Sequence, residues 1–141
     1  MRRSARADFG EAPVAMLATV RPDGTPHVVP VVFAMTGGDG ATDPVVFTAV
    51  DGKPKSGRRL QRLANIEARP AVSLLVSHYD DDWSQLWWVR ADGVAEIHDD
   101  GAVADTGRAA LRAKYAQYRD VAVDGPVIAV RVTGWASWQG G

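Results

Sequence analysis

The sequence has 141 residues, with 16 Lys and Arg against 17 Asp and Glu, a formal net charge of −1 and 46% hydrophobic residues. That length gives one domain with a single core, and the balanced charge excludes a general attraction to nucleic acid or to an anionic membrane surface. Without cysteine there is no disulfide framework, thiol nucleophile or Cys-based metal site, and no stretch approaches the roughly 20 apolar residues of a membrane span. Arg2, Arg3 and Arg6 are followed by no apolar run of the signal-peptide kind, so a cytoplasmic protein is expected.

Residues 13–20 are apolar and strand-like, and Arg21-Pro22-Asp23-Gly24-Thr25 is a turn, because proline presets φ and glycine accepts the positive φ that closes a hairpin. Residues 27–35 read as the second strand. His27, Val29, Val31 and Phe33 fall on one face, Val28, Pro30, Val32 and Ala34 on the other, and burial on both sides is expected. Pro30 cannot donate to a ladder, so the strand is expected to be bulged or at an edge there. A glycine-rich loop (36–43) leads to a third strand over 45–50. A helix is expected over 56–67, with Ser56 as N-cap and Leu60, Leu63 and Ala64 facing inward. Strands over 71–77 and 86–98 follow, the second kinked at Asp92-Gly93. A second helix over 106–118 with Leu111 and Tyr115 buried, and a strand over 126–138, close the chain. Six strands with an early hairpin and two inserted helices indicate an antiparallel barrel rather than a parallel sheet.

The charge is locally uneven. Lys53, Lys55, Arg58, Arg59, Arg62 and Arg69 lie in one short stretch with a single acid, Glu67. Cations at a helix start oppose the macrodipole by roughly 0.3–1 kcal/mol each, whereas a bound phosphate or carboxylate would meet both the side chains and the free backbone N–H groups. A solvated basic face is the plainer alternative. Arg62 and Arg69 lie further along the helix and are expected to face solvent.

Trp83, Trp87, Trp88, Trp135 and Trp138 form the second concentration, and adjacent Trp87 and Trp88 must point to opposite faces of their strand. An outward Trp serves a subunit contact or a platform for a flat ring, and packing is the alternative. His27, His78 and His98 have no metal-ligand spacing, and no metal site is expected. Asp80-Asp81-Asp82 reads as a solvated turn.

Three segments carry a family resemblance: residues 17–31, the strand-to-helix stretch from Phe47-Thr48 through Lys53-Pro54-Lys55, and Leu63-Ala64-Asn65-Ile66 to Pro70-Ala71-Val72-Ser73-Leu74. They resemble the split β-barrel flavin and deazaflavin oxidoreductases, the pyridoxamine 5'-phosphate oxidase-like superfamily. Residues 79–93, with Leu86-Trp87-Trp88-Val89-Arg90, resemble an actinobacterial branch of coenzyme F-420-dependent enzymes. The resemblance spans nearly the whole chain. It implies an all-β fold with helical insertions: a six-stranded antiparallel split β-barrel, as a homodimer with cofactor sites at the interface. It implies that Lys53 and Lys55, with Arg58 and Arg59 beside them, hold the cofactor's phosphate. The backbone of Val29, Pro30, Val31 and Val32 would lie along the ring system, Thr48 and Ala49 would flank the phosphate tail, and Trp88 is the candidate ring platform. The FMN oxidases carry an Arg and a Lys before the third-strand Phe, where this chain has Met35-Thr36-Gly37-Gly38-Asp39-Gly40. That favours coenzyme F-420, a deazaflavin, over FMN. The implied activity is hydride transfer to a small conjugated substrate, with an FMN enzyme or a non-catalytic cofactor-binding protein as alternatives. Nucleic-acid and membrane partners are not expected.

Overall fold

A computed structural model describes residues 4–38, 43–50 and 60–141. The first hairpin forms where the turn chemistry asks for it. Strand β1 (Ala15–Val20) pairs antiparallel with β2 (Pro26–Val31), with Leu17 opposite Val29 and Thr19 opposite His27. At the turn Gly24 takes φ 91°, and its N–H reaches the Arg21 carbonyl at 2.8 Å. Asp23 accepts from the Thr25 N–H and hydroxyl at 3.0 and 2.6 Å, and these two bonds, hydroxyl first, lower its pKa.

Strands β3 (Ala34–Thr36), β4 (Val45–Ala49), β5 (Ala71–His78), β6 (Trp87–His98) and β7 (Val127–Gln139) complete one sheet in the order β2-β1-β5-β6-β7-β4-β3, antiparallel throughout. The two edge strands, β2 and β3, are separated in sequence only by Val32 and Phe33. Three Cα steps span about 11 Å, while the edges of a flat sheet of this width would lie about 29 Å apart. The sheet therefore curls until its edges approach, as a split barrel requires. The strand expected over 27–35 is thus two strands: the chain leaves one edge at Val31 and joins the other at Ala34. Pro30 sits on an edge strand, where its missing N–H costs no ladder bond. The kink expected in β6 is a register shift against β7 between Asp92 and Gly93, where a Cβ on Gly93 would lie 2.4 Å from the Arg131 carbonyl oxygen.

Inside the curl, Leu17, Phe33, Val46, Leu74, Ile128 and Val130 form the main core. A short helix not anticipated from the sequence, α1 (Ala5–Glu11), adds the fully buried Phe9, whose ring meets Trp135 edge-on at 5.3 Å. Helix α2 (Gln61–Ala68) adds Leu63 and Ile66. A second core of Ala34, Phe47, Ala49, Leu111 and Val127 lies on the other side of β3, β4 and β7, under helix α3 (Ala102–Lys114). That helix starts earlier than expected: Thr106, read as its beginning, is an exposed position inside it. Among the described residues, one half of the sheet is thus covered on its outer side and the other is not. Across β2, β1 and β5 the outer face presents Pro30 opposite Met16 and Met16 opposite Leu75, with Val28 two residues along, and Val28 is 54% exposed. The burial expected on both faces of residues 27–31 is absent within one chain.

Candidate functional site

Where the two sheet edges approach, Pro30, Val31 and Val32 face the end of β4, Thr48 and Ala49, and then Val50. Leu60 and Arg62 close the far side of this cleft, whose volume is about 320 Å³. Thr48 is buried at 1% exposure, on a strand paired with β7. Val50 and Leu60, the described residues on either side of 51–59, both line the cleft. Lys53, Lys55, Arg58 and Arg59 belong to the intervening residues and lie outside the described ones, as does Ser56. Of the sequence-derived candidates, Pro30, Val31, Val32, Thr48 and Ala49 converge on one cleft. Val29 instead packs against the main core.

Two features of α2 differ from expectation. The helix begins at Gln61, after Leu60 in an extended conformation (ψ 144°), so no unbroken helix runs from Ser56. Arg62, expected to face solvent, is half-buried and lines the cleft. It is the charged residue among the described lining residues. The first turn of α2 carries no acid and no side-chain cap, so its positive end and the Arg62 guanidinium act together on the cleft. A guanidinium beside apolar walls suits a planar or phosphate anion, which it can bind with two parallel hydrogen bonds.

The helix is held in place from behind. Asn65, fully buried, donates to the Thr19 hydroxyl at 2.9 Å and accepts from Gln61 Nε2 at 2.8 Å. Arg69 does face solvent, and donates to the Pro22 carbonyl at 3.2 Å, tying α2 to the first hairpin turn.

On the other side of Val32 lies a groove of about 430 Å³ lined by Pro13, Val14, Val32, Tyr115, Gln117, Tyr118 and Val121. The Tyr115 hydroxyl accepts from the Phe33 N–H at 3.0 Å and lies 2.8 and 2.9 Å from the Phe33 and Pro13 carbonyl oxygens, either of which can take its proton. Burial raises its pKa, with the hydrogen bond from the Phe33 N–H acting the other way. Lys114 donates to the Ala12 carbonyl at 2.7 Å and sits 3.8 Å above the Phe33 ring centre. Burial lowers its pKa to about 8, although the carbonyl and the ring face both favour the ammonium.

The tryptophans separate as their alternation requires. Trp87 packs against the main core and stacks on His78 at 5.8 Å, while Trp88 lies on the opposite face, paired with Trp138. Trp88 lines a small hollow with Ser137 and Trp138, and is not brought to the cleft within one chain. Asp80 accepts from the Asp82 N–H and Asp82 from the Ser84 N–H and hydroxyl, so these acids build a turn. Among the described residues no group of three His, Asp or Glu could hold a metal ion, and no helix is long and apolar enough to cross a membrane.

The family model described as "Pyridoxamine 5'-phosphate oxidase" matches residues 1–139. No curated protein matches the sequence. Among solved structures, one described as an F420 reductase is 27% identical with a TM-score of 0.64, over 96% of this chain and 98% of that one. A heme-binding protein from Mycobacterium smegmatis is 23% identical with a TM-score of 0.74, over 99% of this chain and 56% of that one. The conserved hypothetical protein Rv2991 from Mycobacterium tuberculosis is 22% identical with a TM-score of 0.72, over 99% and 85%.

Proposed function

Because the chain belongs to the pyridoxamine 5'-phosphate oxidase family, a fold that binds flavins or deazaflavins, we propose that it is an oxidoreductase using coenzyme F-420. The observation that carries the reading is the cleft itself. Backbone and small side chains at Pro30, Val31, Val32, Thr48 and Ala49 face one arginine and an uncapped helix start. Flat apolar walls with one cationic end fit a ring system bearing a phosphate tail. When bound and reduced, the deazaflavin supplies a hydride to an acceptor. The chain's own part is to orient it, exclude water and neutralise its phosphate. Arg62 and the α2 N-terminus hold the phosphate from one side. Lys53, Lys55, Arg58 and Arg59, which fall between the cleft residues Val50 and Leu60, supply further positive charge for the phosphate and the acidic tail. Val29 supports the ring-facing strand from the core.

A second copy of the chain completes the site. The cleft is at the small end of the range for ligand pockets, about 300–1,000 Å³. Its Pro30 wall continues into the uncovered apolar face of Val28, Met16 and Leu75. A homodimer packed on that face covers the apolar strip and deepens the cleft, and its interface also reaches the outward Trp88. Leu75→Glu, at an exposed position, should then give monomers in analytical ultracentrifugation and weaken cofactor binding together; a monomeric wild type would refute the shared site.

The test is a titration of purified protein with coenzyme F-420, FMN and haem. The reading expects micromolar or tighter binding of coenzyme F-420, with FMN weaker. It is sunk by no deazaflavin binding, while an FMN- or haem-selective protein would identify a different ligand. Lys55→Ala should weaken coenzyme binding by about 1.5–3 kcal/mol, the range for a hydrogen bond to a charged group.

A further inference from the structure

We propose that the groove of Pro13, Val14, Val32, Tyr115, Tyr118 and Val121 binds a flat, uncharged ring compound, the acceptor whose edge meets the cofactor cleft at Val32. The assignment of this groove to the acceptor rests on the proposed cofactor reading, while the groove's own chemistry does not. Three observations carry it.

First, among the described residues no charged side chain lines the groove, and Gln117 supplies an exposed amide. The nearest cation, Lys114, is engaged by the Ala12 carbonyl and the Phe33 ring. The Tyr115 hydroxyl is engaged by Phe33 and Pro13. The tyrosine therefore offers the groove its ring rather than its polar end. An ion entering would lose hydration without gaining a partner.

Second, the shape selects a plane. The rings of Tyr115 and Tyr118 stand 87° apart with centres 6.1 Å from each other, which makes a right-angled aromatic corner. Val14 at 46% exposure and Val121 at 54% are exposed apolar side chains. A ring seated there stacks on one tyrosine and meets the edge of the other.

Third, the walls are fixed before a ligand arrives. They come from distant parts of the sequence, the entry to β1 and the end of α3, and the Tyr115 and Lys114 bonds tie these together. Less ordering is then needed on binding. The neighbouring hollow shares Pro13 and Val14 but is lined by Asp8, Glu11 and His78, so it does not suit an uncharged ring. Val32 is common to the groove and the cleft. With a quinone acceptor, two electrons and one proton would arrive as the hydride, and the second proton would be balanced by the ring N–H proton that the reduced coenzyme gives up on oxidation, passed directly or through solvent. The products are the hydroquinone and the oxidised coenzyme.

The test titrates menadione and 1,4-naphthoquinone-2-sulfonate into coenzyme-free wild type, Val121→Trp and Val14→Arg, with folding checked by circular dichroism. Both substitutions fall at exposed positions. The expected result is saturable menadione binding to wild type, weakened about tenfold or more in each folded variant, with the sulfonate bound far more weakly. Undetectable menadione binding, equal affinity in wild type and both variants, or sulfonate binding as tight as menadione would overturn the proposal. Coenzyme F-420 is titrated separately into each protein. Menadione binding with the expected variant losses but no coenzyme binding would support the groove while refuting the cofactor reading.

Discussion

Replacing Tyr115 by Phe removes one oxygen atom from the junction between the two sheet edges. That oxygen accepts the Phe33 N–H at 3.0 Å and donates to the carbonyl of Phe33 or Pro13. The ring stays, so its edge contact with Tyr118 and the Lys114 ammonium 5.2 Å from its centre are retained. What changes is that the Phe33 N–H, in the two-residue link between β2 and β3, loses its acceptor. An unsatisfied buried donor costs about 1–3 kcal/mol, and the lost donated bond adds about 0.5–1.5 kcal/mol. Water can reach the carbonyls more easily than the amide, so the expected loss of stability is about 2–3 kcal/mol. Urea unfolding followed by Trp fluorescence measures it as a lower midpoint at unchanged slope. Hydrogen exchange at the Phe33 amide should quicken with it. A loss below about 0.5 kcal/mol, or unchanged protection of that amide, would refute the role given to this hydroxyl.

Gly107→Ala would ordinarily favour a helix, but a Cβ there would lie 2.6 Å from Phe47 Cδ1 and 2.9 Å from Val127 Cγ1. Thermal unfolding should show a loss of about 1–3 kcal/mol from overpacking, and a stabilised variant would contradict the tight seat of α3 on β4. Asn65→Leu keeps the branched four-atom side chain but strands the buried Thr19 hydroxyl, at an expected cost of about 1–3 kcal/mol in urea unfolding; neutrality would remove the polar anchor of α2. Lys114 has a folded pKa of about 8 against an ordinary 10.5. The unfolded chain therefore binds more protons between these values. Stability from this group rises with pH over that window and is lost as pH falls through 8. Solvent and the Ala12 carbonyl limit the gain to under about 1 kcal/mol. Unfolding at pH 8 and 9.5, below the Tyr115 titration, should show a rise that Lys114→Met removes, and an equal rise in that variant would assign it elsewhere.

Much of the fold was legible because its signals are local. The Pro22-Asp23-Gly24 turn, the alternation in β1 and β2 and the glycine in β6 each act on their near neighbours. The split at Val32-Phe33 was not legible, since nothing in the sequence says that a continuous apolar run must change from one sheet edge to the other. That change is set by closure of the whole sheet. Helix α1 was missed because a seven-residue segment with one core residue, Phe9, has no periodicity to read. The site divides in the same way. Pro30, Val31, Val32, Thr48 and Ala49 fall together on one cleft, while Arg62, expected to face solvent further along a helix from Ser56, lines that cleft because α2 begins only after Leu60. The cue to Arg62 was the Leu63, Ile66 anchor pair, which fixes the rotation of a helix starting only at Gln61. The groove beside Val32 could not be read at all, because its walls come from opposite ends of the chain.

The measurement that tests the cofactor site most directly is the dissociation constant of coenzyme F-420 for wild type and Arg62→Ala side by side. The cleft account predicts binding weakened by about 1.5–3 kcal/mol, roughly 10–150-fold, in a variant that unfolds like wild type. Equal dissociation constants would place the coenzyme somewhere other than the cleft between Pro30 and Arg62.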